Sequence, residues 1–309
     1  MNPLTGIYAA ASGLKNSLYD HGVLHRHRLL RPVVSVGNLS TGGSGKTPFV
    51  IALGELLKSR GIAFDVLSRG YRRKTRGALV VEPDGSAADF GDEPLLIARR
   101  LGVPVIVAER RYEAGCLAEK LFATELHILD DGFQHRALAR DFDIALMTGD
   151  EFHDRLLPLG RLREPSSALA RADVVVLPAE IPADSAPLAG KPVWRIRREM
   201  SVSQAPKSAV VFCGIARPAQ FFAQSRAAGI QPASETVFRD HHRYRQRDIK
   251  RLRLLKEKCG ADGFVTTDKD AVNLGPLGEQ LAPLAIARLH LCIEDPDGLL
   301  DTILAKIGK

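Results

Sequence analysis

The segment that most constrains the fold is a glycine-rich stretch that directly follows an apolar run. The run Val33–Val36 predicts a strand, the sequence GGSGKTP spans Gly42–Pro48, and the residues from Lys46 to Ser59 predict a helix. Glycines let backbone N–H groups turn inward and cradle phosphate oxygens at the start of a helix. A strand, such a loop and a helix in this order predict the phosphate-binding loop (P-loop) of an α/β nucleotide-binding fold.

Two side chains of this loop carry specific chemistry. Lys46 can reach the β- and γ-phosphates of a nucleotide, and the Thr47 hydroxyl can ligate magnesium, so a nucleotide and Mg2+ are the expected ligands. The spelling departs from the usual G-x-x-x-x-G-K-[ST] because Ser40 stands where the first glycine is expected. The predicted nucleotide-binding residues of the loop are Gly42, Gly43, Ser44, Gly45, Lys46 and Thr47.

Apolar runs rich in Val, Ile and Leu alternate with helical patterns from about residue 32 to about residue 178. Such strands indicate a mostly parallel sheet covered by helices on both faces. A smaller strand–helix unit, with helices at 218–228 and 246–259, follows a stretch rich in Pro, Ala and Ser. The predicted fold is α/β, with a P-loop NTPase-like sheet domain (1–185), a linker or hinge (186–206) and a second, smaller α/β domain (207–309).

Charge and composition narrow the classes of partner and site. The net charge is +7 and the pI about 9.3, so nucleic acid, an anionic membrane surface or a phosphorylated substrate can each be the partner. The four cysteines form no C-x-x-C pair, which argues against a zinc ribbon, a redox motif or a disulfide framework and favours a reducing cytosol. The sequence has neither a membrane-spanning apolar run of about 18 residues nor a secretory signal, so we expect no span and no export.

The N-terminal segment has apolar residues near helical spacing, followed by the basic stretch HGVLHRHRLLR. The apolar residues are Leu4, Ile7, Ala11, Leu14 and Leu18. An amphipathic helix with a basic flank can lie in a bilayer interface. It can also pack on its own domain, and the pattern alone favours this second interpretation.

Two adjacent carboxylates follow a predicted strand. Asp130 and Asp131 come after His127–Leu129, at the carboxyl edge of the sheet where ligands of α/β folds bind. One can complete the magnesium shell that a P-loop requires, while the other acts through a water molecule. The alternative interpretation is a polar turn before Gly132.

Asp92 and the histidine pair His241 and His242 lie on predicted loops. Asp92 precedes a helix, so it is either a helix N-cap or a carboxylate that accepts the proton of an attacking hydroxyl. No cysteine or third histidine lies at ligand spacing from the histidine pair, so a zinc site is not expected there. A substrate contact or a proton relay is the favoured role of the pair.

Eight motifs, in order, resemble those of the tetraacyldisaccharide 4'-kinases, the lipid A 4'-kinases of Gram-negative bacteria. They are VGNLSTGGSGKTP, LSRGY, GDEP, DDGFQH, LPLGRLREP, FCGIARPAQFF, FRDHHRY and TTDKDAVNL, and they span roughly residues 4–275 with the N-terminal segment included. The resemblance implies two α/β domains joined by a hinge, with the active site in the cleft between them. It also implies transfer of the γ-phosphate of ATP to the 4'-hydroxyl of an acylated glucosamine disaccharide 1-phosphate.

The resemblance further implies a role for each matching residue. Lys46 and Thr47 would bind the phosphates and Mg2+, Asp130 would be the metal-site carboxylate and Asp131 its partner. Asp92 would be the general base, supported by His241 or His242, a choice that the sequence leaves open. Arg163 and Glu164 of the LRE motif would contact the reacting groups beside the nucleotide. The N-terminal helix would face the membrane, on the cytoplasmic side of the bacterial inner membrane.

Two other functions compete with this one. A membrane-associated switch ATPase with a deviant P-loop would hydrolyse ATP without a lipid acceptor, but Thr41 replaces the lysine of its K-G-G-x-G-K-[ST] signature. A nucleic-acid-dependent NTPase would explain the high pI, but aromatics are only 6% and no stacking motif is interleaved with the basic residues. We therefore expect a lipid substrate and an anionic membrane surface as partners, no nucleic acid and no obligate protein partner.

Overall fold

The structure is a computed structural model that describes residues 3–182, 188 and 190–309. The strands of the described residues are β1 (Val33–Asn38), β2 (Phe64–Ser68), β3 (Leu79–Val80), β4 (Val105–Val107), β5 (Leu126–Asp130), β6 (Phe142–Leu146), β7 (Val174–Pro178), β8 (Val193–Val202), β9 (Ser208–Cys213), β10 (Gln231–Val237), β11 (Gly263–Thr267) and β12 (Leu284–Ile293). The α-helices are α1 (Pro3–Asp20), α2 (Lys46–Ser59), α3 (Ala87–Phe90), α4 (Asp92–Leu101), α5 (Arg111–Leu121), α6 (Pro218–Ala227), α7 (Gln246–Cys259), α8 (Asp268–Leu274) and α9 (Pro296–Lys306). Short 3-10 helices lie at Asp150–Phe152, Ser166–Arg171 and Gly275–Leu281.

These strands form one mixed sheet, in the order β10-β9-β11-β12-β8-β7-β6-β1-β5-β2-β4-β3. Neighbouring strands are parallel except at β12/β8 and β3/β4, which are antiparallel. The predicted α/β fold with a mostly parallel sheet is therefore confirmed. The two-residue β3 at one edge leaves little unpaired backbone for another chain to extend.

The centre of the sheet is buried on both faces because helices cover it from both sides. Every residue of β1 and β5 is buried, as expected for a doubly covered parallel sheet. Val34 packs with apolar residues of α2, α4 and α9 on one face, while Val33 packs with those of α5 on the other. β1 pairs in parallel with β5, with Val36 in register with Asp130. The carboxyl ends of the two strands therefore lie side by side.

The strand β8 joins the two halves of the sheet. It pairs in parallel with β7 and antiparallel with β12, so the sheet continues without interruption from the first half into the second. β8 is a ten-residue strand that lies within the predicted linker. Residues 183–187 and 189, which include the predicted end of the first domain and the start of the linker, lie outside the described residues. The division into two domains stays a prediction.

The predicted helices agree closely with the structure. The helix after the P-loop spans Lys46–Ser59 and the basic helix spans Gln246–Cys259, as predicted, whereas the helix predicted at 218–228 ends at Ala227. Helix α9 was not predicted, and its residues Leu299, Leu300 and Ile303 join the same apolar core as α2. None of the helices within the described residues is long and apolar enough to cross a membrane.

Candidate active site

The P-loop connects the end of β1 with the start of α2 at the carboxyl edge of the sheet. Gly42 has φ 103° and Gly45, the N-cap residue of α2, has φ 90°. A side chain is strained at such angles, which explains the glycines at these two positions. The Ser40 hydroxyl donates to Glu151 Oε1 at 2.8 Å, so the serine that replaces the usual first glycine ties the loop to the body of the protein.

Lys46, Asp131 and Arg163 meet around the side chain of Asn38. Lys46 Nζ donates to Asn38 Oδ1 at 3.0 Å and lies 3.4 Å from Asp131 Oδ1. Arg163 grips Asp131 with two hydrogen bonds of 2.9 and 3.1 Å and also donates to Asn38 Oδ1. Burial would raise the pKa of Asp131, but the charges of Lys46 and Arg163 outweigh it and hold that pKa well below its usual range. Asp131 is therefore a permanent anion between two cations.

Asp130 precedes Asp131 in the chain and has different partners. It is the last residue of β5 and is buried, and its Oδ2 accepts a hydrogen bond from the Ser68 hydroxyl at 3.0 Å. Its Oδ1 is buried without a hydrogen-bond partner among the described residues. Burial, followed by the charges of Glu93 and Asp131, raises the pKa of Asp130 to about 7. A buried carboxylate oxygen without a hydrogen-bond partner is unfavourable unless a cation binds to it.

The residues at this position fit a magnesium ion. The hydroxyl of Thr47, in the first turn of α2, and the unpartnered Asp130 oxygen are the hard oxygen ligands that Mg2+ prefers. Within the described residues, no three or more His, Cys, Asp or Glu side chains cluster as a metal cage. Mg2+ in phosphoryl-transfer sites usually takes one or two carboxylates and completes its shell with phosphate and water oxygens. Thr47 and Asp130 would be the protein ligands of such a site.

Asp92 is buried at the start of α4, and residues of the second half of the chain surround it. Its Oδ2 accepts hydrogen bonds from His241 Nδ1 at 2.7 Å and from Asn273 Nδ2 at 3.1 Å. Burial would raise the pKa of Asp92, but the bond from His241 and the charge of Lys269 outweigh it and lower the pKa to about 2. Gly91 occupies the N-cap position of α4, and Asp92 is the first residue of the helix. Its Oδ1 accepts the Glu93 backbone N–H at 3.0 Å, so one oxygen serves the helix terminus while the other binds His241 and Asn273.

The two adjacent histidines have different partners. His241 Nε2 lies 3.3 Å from Lys269 Nζ, which can only donate, so Nε2 accepts and Nδ1 carries the hydrogen that is donated to Asp92. His242 instead contacts Asp248 at 3.1 Å and stacks on Phe238. The structure thus brings His241 to Asp92 and places His242 in the packing of the second half.

Arg163 and Glu164 connect the site to the N-terminal helix. The Tyr8 hydroxyl donates to the Arg163 carbonyl oxygen at 3.0 Å, and Asn16 Nδ2 donates to Glu164 Oε2 at 2.7 Å. Glu164 is buried and also pairs with Arg171 at 2.9 Å. Arg163 therefore faces Asp131, while the carboxylate of its neighbour Glu164 faces α1.

Comparison with known proteins identifies the family of this chain. The family model for tetraacyldisaccharide-1-P 4'-kinase (LpxK) matches residues 1–308. The chain belongs to the tetraacyldisaccharide-1-P 4'-kinase family. A tetraacyldisaccharide 4'-kinase of Koribacter versatilis is 48% identical, over 100% of this chain and 99% of that protein. One of Geobacter metallireducens is 38% identical, over 97% and 95%.

A solved structure of the same family has the same fold. The structure of LpxK from Aquifex aeolicus in complex with ATP superposes with a TM-score of 0.80 at 33% identity, and covers 99% of this chain and 97% of that one. The family resemblance that the ordered motifs carry is therefore confirmed.

Sequence reasoning assigned no role to three polar residues of this site, although two of them, Lys269 and Asn273, lie within the motif TTDKDAVNL. Lys269 lies 3.2 Å from Glu93 Oε1 and 3.9 Å from Asp92 Oδ2; burial alone would lower its pKa, but these carboxylates raise it to about 12. Asn273, one turn further along α8, completes the shell of Asp92. Arg111, at the start of α5, is buried within electrostatic reach of Asp130 and Asp131. The acidic pair in GDEP was a further signal, since the buried Asp92 and the partly buried Glu93 require a nearby cation.

Proposed function

We propose that this chain is an ATP-dependent kinase of lipid A biosynthesis, which transfers the γ-phosphate of ATP to the 4'-hydroxyl of tetraacyldisaccharide 1-phosphate. The family assignment supports the reaction and the lipid disaccharide substrate. The observation that carries the proposal is the Asp92–His241 pair, in which a buried carboxylate from the P-loop half is bonded to a histidine from the second half. An ATPase that acts on water alone does not require such a pair between the two halves of the chain.

The P-loop and the strand ends beside it would bind and activate the phosphate donor. Lys46 would neutralise charge on the phosphates, while Asp131, itself held by Arg163, positions the Lys46 ammonium. Thr47 and Asp130 would hold Mg2+, which when bound offsets the charge that develops on the phosphate oxygens. Because phosphoryl transfer depends mostly on positioning and charge, the rigid attachment of these groups to β1, β5 and α2 supports this role.

Asp92 and His241 would act on the acceptor hydroxyl. Asp92 would accept a hydrogen bond from the 4'-hydroxyl, orient its oxygen for in-line attack and take its proton as the new O–P bond forms. With a pKa of about 2 it is ionised at neutral pH and a weak base, which suits a transition state in which the proton leaves late. His241 stabilises the ionised form by donation from Nδ1, and Lys269 holds the far side of the ring.

The N-terminal helix would place the enzyme at the membrane that holds its lipid substrate. Leu4, Ile7 and Leu14 of α1 are between 59% and 66% exposed, and Arg28, in the basic stretch that follows, is also largely exposed. Exposed apolar side chains beside cations match an anionic bilayer interface. We infer that the protein is peripheral on the cytoplasmic side of the bacterial inner membrane, where ATP and the acylated disaccharide meet.

The decisive experiment is transfer of radiolabel from [γ-32P]ATP to tetraacyldisaccharide 1-phosphate in detergent micelles with Mg2+. Label should appear in the lipid with wild-type protein and with Lys250→Ala, a surface variant on α7. Lys46→Ala should abolish it. Label that appears only as free phosphate, especially when anionic vesicles stimulate it without acceptor, would favour the switch ATPase instead.

A further inference from the structure

Arg198 lies on β8, and its side chain reaches the P-loop. Side chains alternate between the two faces of a strand. Its neighbour Arg197 is exposed and pairs with Glu294 at 3.1 Å, whereas Arg198 is partly buried. Arg198 donates from Nη2 to the Ser44 carbonyl oxygen and from Nη1 to Gln220 Oε1, each at 3.3 Å. One arginine of β8 therefore faces solvent, and the next faces the phosphate-binding loop.

The position of β8 explains this contact. β8 runs parallel to β7, with Ile196 in register with the last residue of that strand, Pro178, so Arg198 emerges at the carboxyl edge of the sheet. A Cβ atom at Gly45 would lie 3.4 Å from Arg198 Nη2. The absence of a side chain at Gly45 thus leaves space for the guanidinium beside the loop.

The charge of Arg198 is not compensated by a close anion. It makes no ion pair with a carboxylate of the described residues; Glu151 and Glu180 act on it only at longer range, and its Nε is buried without a hydrogen-bond partner there. The nearby Arg217 adds a second positive charge, although it pairs with Asp150 at 2.9 Å. A partly buried cation held by two long, neutral hydrogen bonds is costly unless an anion joins it.

We propose that Arg198 is a ligand of the nucleotide phosphates, contributed to the P-loop by the strand that joins the two halves. The inference rests on the proposed function, since the anion it requires is the polyphosphate of the nucleotide that this loop binds. A guanidinium presents several N–H donors in a planar fork that matches phosphate oxygens. Arg198 then gives β8 a direct electrostatic link to the bound nucleotide.

The test is the dissociation constant of MgATP, measured by equilibrium binding without lipid acceptor at several salt concentrations. Arg198→Gln keeps a hydrogen-bond donor for the Ser44 carbonyl but removes the charge, and Arg198→Lys keeps the charge. We expect Arg198→Gln to weaken MgATP binding roughly 10- to 100-fold and to flatten its salt dependence. Arg198→Lys should stay within several-fold of wild type, and the neighbour variant Arg197→Gln should match wild type.

Two outcomes would overturn the inference. Wild-type affinity in Arg198→Gln would mean that the charge is not used. Equal losses in the Gln and Lys variants, with the salt dependence of wild type retained, would mean that Arg198 only shapes the loop. Failure of the wild-type protein to bind MgATP would overturn the proposed function itself, and so is distinct from both.

Discussion

Neighbouring groups shift the pKa values of two carboxylates of one site in opposite directions. Asp92 is held ionised by His241 and Lys269, whereas burial and neighbouring negative charge raise the pKa of Asp130. The ionised Asp92 can accept a hydrogen bond from a hydroxyl group. A cation bound to Asp130 would lower its pKa and favour its ionised form. The separation of these two roles depends on neighbours that lie far away in the sequence.

Replacement of His241 and of His242 should separate catalysis from packing. We expect Asp92→Asn and His241→Ala each to lower kcat by roughly 10²- to 10⁴-fold, the range of general-base catalysis, and the double variant to lose little more, because the two act as a unit. His242→Ala should leave kcat near wild type. Initial rates at saturating ATP and acceptor test this, and equal rates for the two histidine variants would contradict it.

The lowered pKa of Asp92 should also appear in stability. A carboxylate whose pKa falls from 3.8 to about 2 on folding stabilises the native state above the unfolded value and loses this contribution as the pH falls through about 2. The contribution is about 2 kcal/mol at neutral pH. Urea unfolding from about pH 5 to about pH 2.5 should show the gap between wild type and Asp92→Asn narrowing. A gap that is constant with pH would refute the assignment.

At the scale of elements, helix α1 contacts the residues beside the active site and also carries exposed apolar side chains. One face of α1 carries the exposed Leu14, while Tyr8 and Asn16 bond to Arg163 and Glu164. The sequence pattern alone favoured packing on the protein, whereas the family resemblance favoured a bilayer interface. The structure shows that polar side chains of α1 contact the protein, while Leu4, Ile7 and Leu14 are exposed and Leu18 is partly buried.

Substitutions on α1 should therefore separate membrane binding from catalysis. Asn16→Ala removes a donor from the buried Glu164, so kcat should fall about 10-fold while vesicle binding is unchanged. Leu14→Ser should weaken sedimentation with anionic vesicles and leave ATP binding intact. Co-sedimentation and micellar kinetics on the same preparations test both. A loss of vesicle binding in Asn16→Ala would show that the helix is merely displaced.

Local elements were predictable from sequence, but their pairing was not. The P-loop and α2 follow from glycines beside an apolar strand. Helix α2 has the predicted bounds, and the strand extends two residues beyond the predicted Val36, to Asn38. The contact between Asp92 and His241 joins residues 149 positions apart. It depends on how two sets of strands meet, which no local periodicity specifies. For the same reason the sequence could not choose between His241 and His242, because the two adjacent residues share the same flanking sequence.

At the scale of the molecule, the two halves share both a sheet and part of a core. Leu300 of α9 is 1% exposed and lies in the same apolar core as α2, although almost the whole chain separates the two helices. Arg100 of α4 pairs with Asp268 of α8 at 3.0 Å, close to the Asp92 network. The prediction of two domains, each with its own core, came from the composition of the segment between them, which carries no information about α9.

This shared core predicts that the halves unfold together. Leu300→Ala should destabilise the protein by about 2–4 kcal/mol, since it leaves a cavity under the helix that carries Lys46 and Thr47. Denaturation followed by circular dichroism and by fluorescence of Trp194, the one tryptophan of the chain, should give coincident transitions, both shifted. Leu254→Ala, at an exposed site on α7, should shift neither. Two separate transitions, with only the later half of the chain shifted, would instead establish that α9 belongs to an independent domain and that β8 is a true hinge.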